Sequence, residues 1–479
     1  MVVRARATVL IHVDERRRDV PVSFALGRLF ERVGCRVTLS TRRTTAPLLR
    51  RLRFDAVVVP SLLHIPYDDL PKVRARCRIY MLPTEGALFG EWPLLVKYGG
   101  GDVPERWDRQ IQATARFFLW GEQSRRVLQA TGRFRDEQLV VVGAPRMDGF
   151  LVEPSPSARA ARNPHAAGFI SDFVMLNGYY PQPIFQMIQQ GRRGHGFYYA
   201  ASRHVEDRVW KECAWIRVWL ELLEECQRRG ERLRIRIHPR ESLRGYAALQ
   251  QAYPGALDLE GQELSFETWL DQLGVLLGYN STSFFEAVAA ERPAISLEGL
   301  IGPRLHEHND GCAMNHYPIM DHLDAPTSMD EVFALIQMMR EGRWTAERGY
   351  GADCRALLKD VYHYPRAAST LAAVVQTIVQ DLEGTRSVGR FSDRIVEALG
   401  RGEAKAFEVA TFTLRRDPVM SVWFPMRPGR FARQHADEID RYVRAAEQFP
   451  ASEAGASTSA GEERAVSCAP LAGDVRVRG

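Results

Sequence analysis

Two short stretches hold the residue types needed to grip a phosphate. In Arg236-Ile237-His238-Pro239-Arg240-Glu241 an apolar run stops at a proline. There a histidine can donate to a phosphate oxygen and an arginine can present a two-pronged fork. In Tyr279-Asn280-Ser281-Thr282-Ser283-Phe284-Phe285-Glu286-Ala287 an apolar run passes into a hydroxyl-rich helix start. The amides and dipole of such a start attract anions, and the hydroxyls add donors. Ser283 and Glu286 also fit a capping box, which requires no ligand. At two strand ends of one sheet, these stretches predict a diphosphate or nucleoside monophosphate site. Its residues are His238, Arg240, Asn280, Ser281, Thr282, Ser283 and Glu286.

Two carboxylates stand where strands should end. Glu85, in Leu82-Pro83-Thr84-Glu85-Gly86, and Asp14, after the apolar run from Ala7, are the candidate catalytic residues. A carboxylate facing a cleft can act as general base or nucleophile when its pKa is raised. Asp14 can equally pair with Arg16, Arg17 or Arg18, and Glu85 can cap a helix. His306, His308, Cys312, His316, Asp321 and His322 are metal ligands by type, but their spacing fits no zinc motif, so no metal is assigned. No glycine-rich dinucleotide fingerprint follows the first strand, where Val13-Asp14-Glu15-Arg16 stands instead. There is no P-loop and no Asp-X-Asp at a strand end.

The elements that would position these residues alternate. Apolar runs at 7–14, 35–41, 54–61, 78–85, 116–122 and 138–145 read as buried parallel strands, with helical periodicity between them. The pattern predicts a Rossmann-like domain over 1–150. Residues 151–167, rich in Pro, Ser and Ala, read as a linker. A second alternation over 168–385 has strands at 168–176, 233–240, 274–280 and 293–299, and helical patterns at 329–342, 352–362 and 366–383 close it. Residues 386–450 read as a helical extension, and 451–479 as a disordered tail. Within the extension, the segment 419–434 combines Trp423 and Phe424 with several arginines, which suits either a packed loop or a membrane surface.

Composition sets the outer bounds. The 479 residues are 45% hydrophobic and 26% charged, with a net charge of +5. That is ordinary for a globular enzyme of two domains and excludes collagen, coiled coil and wholesale disorder. The arginine clusters are short, so nucleic acid is not an expected partner. Seven scattered cysteines (35, 77, 213, 226, 312, 354 and 468) fit reduced thiols. No run approaches the roughly 18 apolar residues of a membrane span, and the N-terminus lacks a signal peptide. A cytoplasmic protein is expected.

The order of motifs resembles a known family. It runs from Ile11-His12-Val13-Asp14 through Leu82-Pro83-Thr84-Glu85-Gly86, Trp120-Gly121-Glu122 and Gly143-Ala144-Pro145-Arg146-Met147-Asp148. His238-Pro239-Arg240 and Asn280-Ser281-Thr282-Ser283 with Glu286-Ala287 complete it. This is similar to the bacterial surface-carbohydrate biosynthesis proteins of capsule and lipopolysaccharide assembly. These are GT-B-type glycosyltransferases related to Kdo transferases, and the likeness covers about residues 7–385.

The resemblance implies an α/β fold of the GT-B type, with two Rossmann-like domains facing a cleft. It implies a nucleotide-sugar donor, CMP-linked, and a glycan or glycolipid acceptor, without metal or other cofactor and with peripheral contact to the inner membrane. His238 and Arg240 would hold phosphate, Ser281, Thr282 and Ser283 would add donors, and Glu286 would touch ribose or cap its helix. Glu85 would act on the acceptor. A polyol-phosphate transferase using a CDP-activated alcohol shares the His-Pro and Ser/Thr features and would need a histidine from the first domain. His12 and His64 are the two available there. A non-catalytic nucleotide-sugar-binding scaffold is the third reading.

Overall fold

The computed structural model describes residues 7–14, 16–101, 103–152, 163, 165–178, 202–239, 241–301, 317–383 and 435–451. Eleven described strands form two parallel sheets. The first contains β1 (Thr8–Val13), β2 (Arg36–Thr41), β3 (Ala56–Val59), β4 (Arg78–Met81), β5 (Thr114–Leu119) and β6 (Leu139–Val141), in the order β2-β1-β3-β4-β5-β6. The second contains β7 (Ala167–Ile170), β8 (Leu233–Arg236), β9 (Leu257–Asp258), β10 (Val275–Gly278) and β11 (Ala294–Ser296), in the order β11-β10-β7-β8-β9. The expected alternation holds in both halves, because strands covered by helices on both faces are predominantly apolar. β9 was not anticipated: two residues are too few to show a period.

Six helices matter for the site and are labelled here. They are α1 (Arg16–Arg32), α2 (Thr45–Arg51), α3 (Ser283–Ala289), α4 (Ala352–Tyr362), α5 (Thr370–Glu383) and α6 (Ala436–Gln448). The pattern at 366–383 reads as part of the second half, yet α5 packs on the first. Its Leu371, Val374, Val375, Ile378 and Leu382 join Val9, Ile11, Val58, Tyr80 and Phe118 in one core. Periodicity shows that a helix has an apolar face and not which sheet receives it. The far end of α5 is pinned by Asp381, whose carboxylate accepts from Arg116 at 2.8 and 3.0 Å.

Of the expected extension, residues 435–451 are described, and α6 lies within them. α6 touches both halves. Ile439, Tyr442 and Val443 enter the first core, while Arg441 reaches Asp271 at 3.1 Å and the Tyr442 hydroxyl donates to Glu267. The segments 419–434 and 452–479, most of the linker and the loop 302–316 lie outside the described residues.

One buried carboxylate makes the return to the first half possible. Asp148 is fully buried and accepts from Ser369 Oγ at 2.5 Å, from the amides of Thr370 and Leu371 at 2.9 and 3.0 Å, and from Arg366. It therefore satisfies the open amides at the start of α5 and neutralises a buried guanidinium. Removing one partner of such a pair leaves an uncompensated buried charge, which costs about 3–5 kcal/mol. Asp148→Ala should lower the urea midpoint accordingly, whereas Asp136→Ala, on an exposed turn, should leave it nearly unchanged.

Candidate functional site

Each sheet reverses its strand order once, between β1 and β3 in the first and between β7 and β10 in the second. In open parallel sheets ligands bind in the crevice outside the strand ends at such a reversal. Asp14 follows β1 and Asn280 to Ser283 follow β10, at these two places, while Glu85 follows β4 and His238 follows β8, one strand farther along each sheet.

At the first crevice, His12 near the end of β1 stacks on His64 from the turn after β3, with ring centroids 3.8 Å apart. Asp14 follows β1, and its Oδ1 lies 3.7 Å from His64 Nε2. His12 Nδ1 is 2.6 Å from Thr45 Oγ1 at the start of α2. The Thr45 hydroxyl in turn reaches the Thr41 carbonyl at 3.0 Å and Ser40 Oγ at 2.7 Å. Burial pushes His12 down to about 2, and the charges of His64 and Arg42 push the same way. Burial pushes His64 down to about 4; Asp14 pulls it up, and Arg42 and Lys97 add to the fall. Both rings are thus neutral at pH 7.

A pocket opens beside this cluster, lined by His12, Asp19, Ser23, Thr84, Trp120 and Arg146 among others. Asp19, on α1, is buried at 2% exposure. Sequence reasoning passed over it because it sits among arginines and reads as part of a solvated helix. Glu85 is exposed, and Thr84 rather than Glu85 contributes to the pocket wall. The turn carrying both is shaped by Trp120, whose Nε1 donates to the Pro83 carbonyl at 3.0 Å. A Cβ on Gly86 would lie 2.5 Å from that ring, so only glycine fits. The next residue, Gly121, meets α4: a Cβ there would lie 2.0 Å from the Asp360 carbonyl oxygen. The Trp-Gly pair therefore seats the first half against the second.

Arg146 joins the two crevices. Its Nε lies 2.6 Å from Glu286 Oε1 on α3, and its Nη2 is 3.4 Å from Thr282 Oγ1. Its guanidinium sits 5.1 Å from the centroid of the Trp120 ring. Glu286 is 3% exposed and faces this arginine. The capping box expected from Ser283 and Glu286 does not form. α3 begins one residue earlier than that box requires, with Thr282 as its N-cap, and Glu286 is drawn to Arg146 instead. The amides of Ser283, Phe284 and Phe285 already bond Ser281 Oγ, the Ser281 carbonyl and the Thr282 carbonyl. The free amides expected there are absent at these three positions.

Across the second crevice, Asn280 is nearly buried and accepts from the Tyr317 amide at 2.8 Å. Ser281, Thr282 and Ser283 are half-buried beside it. His238 follows β8, two strands away from β10, and its amide donates to Ser171 Oγ at 3.2 Å. With strands about 4.8 Å apart, the two strand ends stand about 10 Å from each other. Glu241 ties the ends of β7 and β8 together: it accepts from Ser171 Oγ and the Phe173 amide, each at 3.0 Å, and from Tyr246. Burial raises its carboxyl to about 7. Arg240 lies outside the described residues.

No family model and no curated protein matches the sequence. Solved structures do match in shape. A histidine variant of the wall teichoic acid polymerase TagF aligns with a TM-score of 0.50 at 9% identity, over 81% of this chain and 91% of that one. The fold is GT-B. A second TagF variant, soaked with CDPG, gives 0.48 at 10% identity over 80% and 91%. The UDP-GlcNAc 2-epimerase of Methanocaldococcus jannaschii, in complex with UDP-GlcNAc and UDP, gives 0.46 at 11% over 78% and 99%.

The depressed histidines predict how stability responds to acid. Below the ordinary imidazole pKa of about 6.5 the unfolded chain takes up protons that the folded chain refuses. Stability should therefore fall as pH drops from 6.5 toward 4. Melting temperatures measured at pH 7.5 and 5.0 should show a smaller fall for His64→Gln than for the unsubstituted chain.

Proposed function

We propose that the chain is a GT-B-type glycosyltransferase. It moves a sugar from a nucleotide donor to a surface-polysaccharide or lipid-linked acceptor. In its finer form the donor is a CMP-activated ulosonic acid such as Kdo. The observation that carries the reading is the Arg146–Glu286 ion pair, which holds the two strand-end crevices on opposite sides of one cation. His238, Arg240, Asn280, Ser281, Thr282 and Ser283 take the nucleotide and its phosphates, with Glu286 holding Arg146 rather than ribose. Arg146 adds positive charge where the phosphate departs, the kind of fixed stabilisation that speeds loss of a charged leaving group. The acceptor enters at the pocket of the first half, and Glu85, on the exposed turn next to the pocket-lining Thr84, takes the proton of its attacking hydroxyl at the pocket's rim.

A second reading has an observation of its own. A polyol-phosphate transferase using a CDP-linked alcohol needs a histidine from the first half, and His12 lines the pocket there. The protein works at the cytoplasmic face in either case. Among the described residues no helix is long and apolar enough to cross a membrane.

Thermal-shift measurements with CMP, CDP, UDP and GDP test both readings at once, and a chain that responds to none of them is neither enzyme. With the responding nucleotide, His238→Ala should weaken binding at least about tenfold, which corresponds to 1.4 kcal/mol. Glu85→Gln should abolish sugar transfer while leaving nucleotide affinity intact. Retained transfer would remove Glu85 from its role.

A further inference from the structure

The first crevice holds a feature that the transferase reading leaves unused. His12, Asp14 and His64 each offer one ligand atom, and these atoms lie within 4.8 Å of one another. Nδ1 of His12 is engaged by the Thr45 hydroxyl at 2.6 Å, which leaves Nε2 as the nitrogen to account for. The ring is 3% exposed, and Nε2 has no hydrogen-bond partner. A buried polar nitrogen without a partner is costly, so this nitrogen calls for a ligand.

We infer that His12, Asp14 and His64 form a binding site for a divalent transition ion of the zinc class, open on its cleft side. Two imidazoles and one carboxylate are the donor set of open zinc sites, which keep a position for water or a substrate oxygen. The Thr45 hydroxyl stands where the outer partner of such a histidine ligand does and orients the ring. The surroundings also select the ion. Asp14 is the largest charge acting on His64, with Arg42 and Lys97 opposing it, so the site holds little net negative charge. A hard ion held by charge, such as magnesium or calcium, is disfavoured there, whereas an ion that bonds imidazole nitrogen is retained.

The test uses the full chain, cleared of metal, with Zn2+ and Co2+ as probes and Mg2+ as control. Equilibrium dialysis should show one equivalent of Zn2+ more on the unsubstituted chain than on Asp14→Asn or His12→Asn. Co2+ should give visible bands that the Asp14→Asn protein lacks, without thiolate absorption. Thr45→Val keeps all three ligands and should weaken Zn2+ by about 10–100-fold, as loss of an outer partner does. If His12→Asn fails to fold, Asp14→Asn carries the comparison, since Asp14 is half-buried in a loop. Equal zinc content in Asp14→Asn and the unsubstituted chain overturns the site, as does a Mg2+ stabilisation equal to that of Zn2+. Neither outcome depends on nucleotide binding, so the transferase reading stands or falls separately.

Discussion

The short segment Arg146-Met147-Asp148 is the constraint on which the molecule turns. Its arginine reaches into the second half to meet Glu286, and its aspartate anchors the helix that leads back to the first half. Met147, fully buried between them, belongs to the apolar cluster shared by the halves. Asp148 is fully buried and Arg146 mostly so, and each has its partner delivered by a distant part of the chain. The position of this segment thus sets the distance between the crevices and the path of α5 at once.

Around that segment the interface is apolar and close-packed. Ala87, Trp120, Ala144 and Met147 of the first half pack with Ile170, Trp269, Leu270, Phe285 and Tyr362 of the second. Trp120 serves three purposes here. It fills the interface, holds the Pro83–Gly86 turn by its Nε1, and offers its ring to Arg146. A substitution there would disturb packing, turn and cation together.

The sheets were legible in the sequence because parallel strands are runs rich in apolar and β-branched residues, and ten of the eleven described strands announced themselves that way, although β2 and β8 carry polar positions. The residues at the second crevice were legible for a related reason: Asn280 to Ser283 and His238 directly follow such runs. What stayed hidden depends on contacts between distant segments. Glu286 fits a capping box locally, and only the approach of Arg146 draws it away. The His12–His64 stack joins residues 52 apart that no spacing rule connects. Asp19 looked like a surface charge until the sheet it covers was in place. The destination of α5 was hidden likewise, because an amphipathic helix does not name its partner.

α6 carries a mechanical consequence. It grips the first half by Ile439, Tyr442 and Val443, and the second by Arg441 with Asp271 and by Tyr442 with Glu267. Its pairs with Arg28 and Arg32 are half-exposed and contribute little, so polar attachment is concentrated on the second half. Opening the cleft cannot then be a free swing about the chain crossing. The helix must slide against one partner while riding with the other, a shear in which apolar contacts on the first sheet can shift in small steps and the buried ion pair cannot. The resistance to opening therefore comes from a segment far along the chain from either crevice.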